Sequence, residues 1–389
     1  MNKPLLLVAG LLLLGASGRA PLTSVGPLVA DIRADLGLSS AATGLLTTLP
    51  LLAFAVFSLV APRIAGRLGL ERGLGLALAV LGTGIVVRCL PHLLWAGTIA
   101  VGAAIACFNV LLPSVVKRDF PDRVAQLTGG YSATQSIVAA IASGTAVPLA
   151  GLLGGWRPAL AGWVLLVVVA GAVWLPQVRS GPVPAPHAVP RAKMPWRSAL
   201  AWQVTLFMGL QSMVFYVLIA WLPTIEREHG VPAAEAGWHL FACLVAAVFA
   251  NLLVPVFMRR LPDQRLIGLV CALCIGSGVA GLQWLPQWSL GAVLAAGFGA
   301  GMAIVICLSL FSLRTTDQSQ TAALSAMAQS VGYLLAAGGP VLAGALRDLS
   351  GSWTLPMTVL CGQVVLMAVV AVLAGRARSI PAPVLATVG

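Results

Sequence analysis

Residues 5–30 read LLLVAGLLLLGASGRAPLTSVGPLVA, an apolar run of membrane-spanning length with one arginine, Arg19, near its middle. About 20 apolar residues cross the hydrocarbon core as a helix, and a cation at that depth costs roughly 2.5–3.5 kcal/mol on insertion scales. A charge kept at such a position usually faces a cavity or a partner and marks a functional site by default. The competing readings are that Arg19 snorkels to a headgroup or neutralises a cluster of backbone carbonyls. A signal peptide would use Leu5 to Leu14 as its apolar region and Ala16 to Gly18 as a cleavage site. The apolar run resumes after Arg19 in a chain that starts at Met1, so the stretch reads as a transmembrane helix with a buried cation.

Of 389 residues, 59% are hydrophobic and 9% charged, against about 25% charged in a soluble domain. So few charges cannot cover a soluble surface, and continuous apolar runs exclude the alternating pattern of a membrane β-barrel. What remains is an all-α polytopic membrane protein, whose backbone polar groups are satisfied within each helix. The net charge of +12 does not indicate nucleic acid, because the basic residues are spread between apolar runs. All seven cysteines lie inside apolar runs. Cys271-x-x-Cys274 lacks a second ligand pair, so neither zinc nor a disulfide framework is expected.

Twelve apolar runs are counted, at about 5–30, 39–62, 73–91, 94–116, 125–150, 157–178, 198–225, 234–258, 265–285, 288–313, 320–346 and 353–375. With the N-terminus in the cytoplasm, 17 of the 23 Lys and Arg fall on that side, from Lys3, Arg63, Arg67 and Arg72 to Arg376 and Arg378. Only Arg33, Arg157, Arg227 and Arg347 lie outside, and Arg19 and Arg88 stay in spans. This positive-inside bias predicts that both termini are cytoplasmic. Trp95, Trp156, Trp221, Trp238, Trp284, Trp288 and Trp353 then cluster at outer span ends, as an aromatic belt would.

The stretch Arg179 to Arg197 holds five prolines and four positive charges, the composition of a linker. It predicts an N-terminal six-helix bundle over 1–179, a Pro-rich linker over 180–197, a C-terminal bundle over 198–378 and a cytoplasmic tail over 379–389. The halves echo each other. Pro27 followed by Asp31-Ile32-Arg33 matches Pro223 followed by Glu226-Arg227-Glu228. Gln135-Ser136, Pro148 and Trp156 match Gln329-Ser330, Pro340 and Trp353 in the same order. Parallel repeats of this kind imply a solute site between the halves near the midplane.

The six-plus-six plan resembles the major facilitator superfamily over nearly the whole chain. The loop Arg67-Leu68-Gly69-Leu70-Glu71-Arg72 is similar to that superfamily's R-x-G-x-x-R gating motif, with Gly66 where an aspartate usually stands. More specifically, Arg19-Ala-Pro-Leu-Thr23-Ser24-Val-Gly-Pro27 resembles the R-P-x-x-T-S-V-G-P stretch of the cyanate and nitroimidazole transporter family. Leu112-Pro113-Ser114-Val-Val-Lys117-Arg118 and Ile219-Ala-Trp221-Leu-Pro223 are similar to further stretches of it. The resemblance implies twelve transmembrane helices in two pseudo-symmetric six-helix bundles, the major facilitator fold, in a bacterial inner membrane. It implies secondary transport of a small solute by a protein that needs no cofactor and is not an enzyme. It leaves substrate and direction open.

All eleven Asp and Glu sit in loops or at span ends, so Arg19 is the charge expected at mid-membrane and the cavity should be electropositive. A guanidinium fork suits planar acceptors, so a small anion or a nitro compound is the favoured solute. Thr23 lies one turn after Arg19 on the same face. Further polar candidates are Asn109, the pair Tyr131 and Gln135, Gln211 ahead of Phe215 and Tyr216, and the pair Gln329 and Tyr333. Counting eight residues back from Pro27 gives Arg19, and from Pro223 gives Phe215, so the aromatic pair is expected opposite the arginine. Each of these side chains has an alternative reading as interhelical glue. His239 is a histidine inside a span and is either a proton-coupling group or a packing histidine. Arg88 is expected to snorkel at the outer end of its span. A lipid-embedded monomer carrying a small solute is the expected state, with no nucleic-acid partner.

Overall fold

The computed structural model describes residues 3–38, 40–180 and 194–381. The proline-rich part of the expected linker and most of the expected tail lie outside them. Fifteen α-helices and three short 3-10 turns make up the described residues, with no strand among them. In chain order the helices are α1 (Lys3–Thr23), α2 (Val29–Leu36), α3 (Ser40–Ser58), α4 (Ala61–Leu68), α5 (Leu70–Val87), α6 (Leu94–Asp119), α7 (Val124–Leu153) and α8 (Trp156–Ala161). Then come α9 (Val164–Ser180), α10 (Ala199–Glu228), α11 (Ala233–Arg260), α12 (Arg265–Trp284), α13 (Ser289–Leu313), α14 (Gln318–Ser350) and α15 (Thr354–Ala374).

Eleven helical segments are long and apolar enough to cross a membrane, and twelve if a bent pair is counted as one span. That pair is the end of α3 with α4, broken by 48°. The first apolar run also departs from one straight helix. Here α1 stops at Thr23, and a turn and a 3-10 segment lead into α2. Pro21 and Pro27 explain the break, since proline removes a backbone donor and crowds the preceding turn. Two helix starts are capped by side chains. Ser198 accepts from Ala201 N, and Asp317 accepts from the amides of Ser319 and Gln320. Such caps satisfy amides that have no intrahelical acceptor.

The spans alternate in direction, so the starts of α1, α5, α7, α10, α12 and α14 share one face with the ends of α4, α6, α9, α11, α13 and α15. We call this the termini face and the opposite one the distal face. Matching contacts brace the two halves there. Glu71, at the start of α5, receives Arg118 from the end of α6, and Trp174 Nε1 donates to the Glu71 carbonyl at 3.0 Å. In the second half Gln264 receives Arg314, which also donates to the carbonyls of Ala374 and Gly375 at 3.0 and 2.9 Å. Burial, opposed by the nearby Asp263 carboxylate, lowers the Arg314 pKa to about 10, so it stays charged at neutral pH.

In the loop over 67–72, which follows Gly66, the interhelical charge contact runs from Arg118 to Glu71. Arg67 is exposed, and Gly69 makes the turn at a φ of 88°, a conformation that a Cβ disfavours. Because glutamine already does the same job at 264, Glu71→Gln should cost little stability. Glu71→Ala removes the tie between α5 and α6 but leaves Arg118 on the Asp119 carboxylate at 2.8 Å, so it should cost roughly 0.5–1.5 kcal/mol, read by thermal unfolding of the purified variants.

Two sequence expectations change. Trp238, Trp284 and Trp288 are exposed as an aromatic belt requires, but Trp156 and Trp353 are buried and Trp221 donates to the Pro340 carbonyl at 2.9 Å. These three lock helices together. Arg88 does not snorkel. It is 2% exposed and its Nη1 donates to the Pro21 carbonyl at 2.5 Å, at the broken end of α1. A cation at a helix C-terminus satisfies both the free carbonyl and the helix dipole.

Candidate functional site

The halves meet along the termini face. In α7, a Cβ on Gly129 would stand 2.4 Å from Pro255 Cγ and 2.5 Å from the Asn251 carbonyl oxygen of α11. One turn up from Pro255, Asn251 Nδ2 donates to Ser136 Oγ at 3.1 Å. Ser312 of α13 donates to the Pro113 carbonyl of α6 at 3.0 Å. Every residue of Gln320 to Ser330 is buried, and so is Ala104 to Val116 apart from Asn109. The packed ends of α6, α7, α11, α13 and α14 therefore seal this face.

Above the seal the central side chains regain exposure. Arg19, Asn109, Phe215 and Tyr216 are each half-buried. Pro21 lies inside α1 two residues after Arg19, and Pro223 inside α10. The Arg19 guanidinium faces the Tyr216 hydroxyl and acts through its charge on Tyr333. No carboxylate lies within 4 Å of Arg19 among the described residues, so its charge is uncompensated. Asn109 Nδ2 donates to the Tyr333 hydroxyl at 3.4 Å, linking α6 to α14 across the seam. Phe54 meets Tyr333 in a tilted contact with ring centroids 5.0 Å apart, and Phe215 meets Tyr216 edge-on at 5.4 Å. Of the aromatic pair that the sequence count places opposite the arginine, Tyr216 is the member turned towards it.

The remaining sequence candidates divide. Gln135 packs against Gly15, one turn below Arg19, and is buried close to the site. Gln329 is fully buried, its Nε2 donating to Ser325 Oγ at 2.9 Å while its Oε1 has no partner. Gln211 donates to Ser212 Oγ at 2.7 Å and is buried within its own helix turn. The Tyr131 hydroxyl is buried beside Thr128 without a hydrogen bond of ordinary geometry. Thr23 does not turn into the site. Its hydroxyl lies 3.1 Å from the Arg19 carbonyl and 3.2 Å from the Ala139 carbonyl of α7, bracing α1 against its neighbour.

His239 lies away from this centre, buried near the distal end of α11. Its Nδ1 is 2.6 Å from Glu226 Oε1, and Glu226 is 1% exposed. Sequence reasoning placed Glu226 at a span end, as found, but not its burial. The signal available was the spacing, since thirteen residues and a turn return α11 alongside the end of α10.

A helical bundle of up to twelve spans in two six-span halves is the architecture of a membrane transporter. The chain belongs to the Major Facilitator Superfamily, whose profile matches residues 5–340. Within it, the chain groups with the cyanate and nitroimidazole transporters. It is 44% identical over 384 residues to the 2-nitroimidazole transporter of Escherichia coli (strain K12), covering 97% of each chain. It is 29% identical over 350 residues to Cyanate transport protein CynX of the same organism, covering 88% of this chain and 90% of the relative. The fold is similar to that of the E. coli fucose:proton symporter FucP, with TM-score 0.76 and 12% identity over 96% of this chain and 99% of the other. It is also similar to the human organic anion transporter MFSD10, with TM-score 0.72 and 14% identity over 95% and 100% of the two chains.

Proposed function

We propose that this protein is a secondary active transporter of a small anionic or polar solute, a cyanate-like anion or a nitro-aromatic, working by alternating access around Arg19. The observation that carries the reading is the uncompensated Arg19 guanidinium at the seam between the halves, ringed by Tyr216, Tyr333 and Asn109. A cation in a low-dielectric site without a carboxylate favours an anion or strong acceptor. Gln135 lies closest to this centre, Gln211, Gln329 and Tyr131 are buried polar groups behind it, and Thr23 holds the arginine's helix in place. The names of two relatives agree with acceptor-bearing solutes.

The two rocking bodies are residues 1–179 and 198–378, joined by a linker over 180–197. The termini face, with its concentration of Lys and Arg, is cytoplasmic in the inner membrane. The sealed termini face and half-exposed centre then correspond to the state open to the outside. A monomer suffices, because each half supplies part of the cavity. The Arg67, Gly69 and Arg72 turn gates the cytoplasmic side through Glu71, and His239 is the candidate for proton coupling. The edge-on pair of Phe215 and Tyr216 favours a second reading, export of small toxic aromatics or drugs whose ring packs on it.

Thermal stabilisation of the purified protein tests the class of solute. A ligand that binds only the folded state raises stability by about 2.7 kcal/mol at 100 times its Kd. Cyanate or 2-nitroimidazole should raise the melting temperature, and lipophilic cations should not. The reverse pattern would remove Arg19 from the site.

A further inference from the structure

At the distal end of α10 and the start of α11, three titratable side chains form a graded series. Glu235 is open, with a side chain 57% exposed, and its Oε1 is 3.7 Å from His239 Nε2. The opposite nitrogen of the same ring, Nδ1, is 2.6 Å from Glu226 Oε1. Glu226 is buried, its second oxygen Oε2 has no hydrogen-bond partner, and Ser289 at the start of α13 lies beside it. A groove of about 590 Å³ runs past Glu235, Trp238 and His239 and reaches the open end of the series.

Among the described residues no other cation acts on Glu226, and His229, three residues on, turns its Nδ1 to the Ile225 carbonyl at 3.0 Å. On α10, Glu228 is held by Arg347 of α14 at 3.3 Å, and Arg227 is exposed. On α11 the nearby titratable groups are Glu235 and Cys243, neither of which is positive. α13 and α15 contain no charged residue, and the only one in α12, Arg265, lies at the termini face. A buried carboxylate is costly unless it is paired or neutralised. His239 is the group available to do this, so the pair is built to hold a proton.

We propose that Glu235, His239 and Glu226 form a proton relay from the distal face and that the Glu226–His239 pair is the binding site of a coupling proton. This rests on the transport reading above. A proton taken up at the Glu235 carboxylate passes to His239 Nε2. The resulting imidazolium keeps its Nδ1–H on Glu226 Oε1, so the pair gains one proton and one positive charge and Glu235 returns to its charged form. The hydrogen bond from a neutral imidazole to the Glu226 carboxylate becomes an ion pair, and the pair passes from one net negative charge to none. The consequence reaches the centre through the two helices it ties. α10 carries Tyr216 and Gln211, and α11 carries the Asn251 and Pro255 surfaces that close against Gly129.

Full-length wild type, Glu226→Gln, His239→Gln and Glu235→Gln in proteoliposomes, with labelled 2-nitroimidazole as probe, test the relay. An imposed pH gradient should drive accumulation in wild type, fall more than about tenfold in Glu226→Gln and His239→Gln, and slow several-fold in Glu235→Gln. Counterflow exchange without a gradient should persist in all three. Gradient-driven accumulation surviving in Glu226→Gln overturns the relay, as does an equal loss of counterflow with a lowered melting temperature. Absent counterflow in wild type would overturn the solute assignment instead. The relay is then read without solute, from melting temperatures between about pH 6 and about pH 8. Wild type should show a pH dependence that Glu226→Gln lacks, and coincident profiles overturn the proton site.

Discussion

Replacing Arg19 by glutamine should abolish binding of an acceptor-bearing solute while leaving the fold intact. Removing one partner of a desolvated charge contact typically costs about 2–5 kcal/mol, or roughly 30- to several-thousand-fold in affinity. Stability should move the other way. No carboxylate is within 4 Å of Arg19 among the described residues, so no ion pair is lost. The roughly 2.5–3.5 kcal/mol cost of a cation at mid-membrane is relieved, so Arg19→Gln should melt at or above the wild-type temperature. Arg19→Lys keeps the charge but loses the planar fork and should bind weakly. Titration of cyanate and 2-nitroimidazole by isothermal calorimetry, with melting curves on the same samples, reads both effects. Affinity within threefold of wild type in Arg19→Gln, or a large loss of folded protein, would make Arg19 a structural residue.

The second large effect is expected at Gly129. A methyl group there meets Pro255 Cγ at 2.4 Å and the Asn251 carbonyl at 2.5 Å. The oxygen is backbone, so α11 must move as a body or the seal must open. Overpacking of this kind costs about 1–3 kcal/mol. On the proposed rocking motion that cost falls on the distal-open state, because the two helices separate when the termini face opens. Gly129→Ala should therefore shift the equilibrium about 5- to 150-fold towards the termini-open state. Spin labels at Arg123 and Arg260, exposed at the termini-face ends of α7 and α11, report the separation in a cysteine-free background. A longer-distance population should appear in Gly129→Ala. An unchanged distribution with an unchanged melting temperature would show that this contact does not hold the seal.

The lining of the centre also says how the two halves depend on each other. Tyr333 touches Phe54 and Asn109 from the other half, while Tyr216 faces Arg19. Each partner of the arginine is thus tied to a helix that crosses the seam. A solute that draws the guanidinium away from Tyr216 acts on contacts belonging to both halves at once. Ligand binding can bias a two-state equilibrium only through such differential contacts.

Much of this architecture is written in local composition. Apolar runs, loop arginines and paired prolines carry the spans and the repeat, because bilayer thickness and backbone satisfaction act on any helix regardless of its neighbours. The same logic marks Arg19, whose cost at depth is visible from the run that contains it. Other features depend on which side chain a helix turns where. The count from Pro223 places the aromatic pair opposite the arginine; each helical residue rotates the face by about 100°, and Tyr216 is the member that meets it. Thr23 sits one turn from Arg19 and still spends its hydroxyl on α7. Arg88 looks like a snorkelling cation until the broken end of α1 brings it a free carbonyl.

The sequence alone thus determined the helical membrane class, the two-fold repeat and the single cation in its first span, since these follow from hydrophobicity and chain order. Only the tertiary structure decided that Glu71 and Gln264 hold equivalent arginines, that Gly129 closes one face, and that Glu226 is buried against His239. Those are pairings between helices far apart in the chain. Their energies depend on distance and desolvation, which no linear pattern carries.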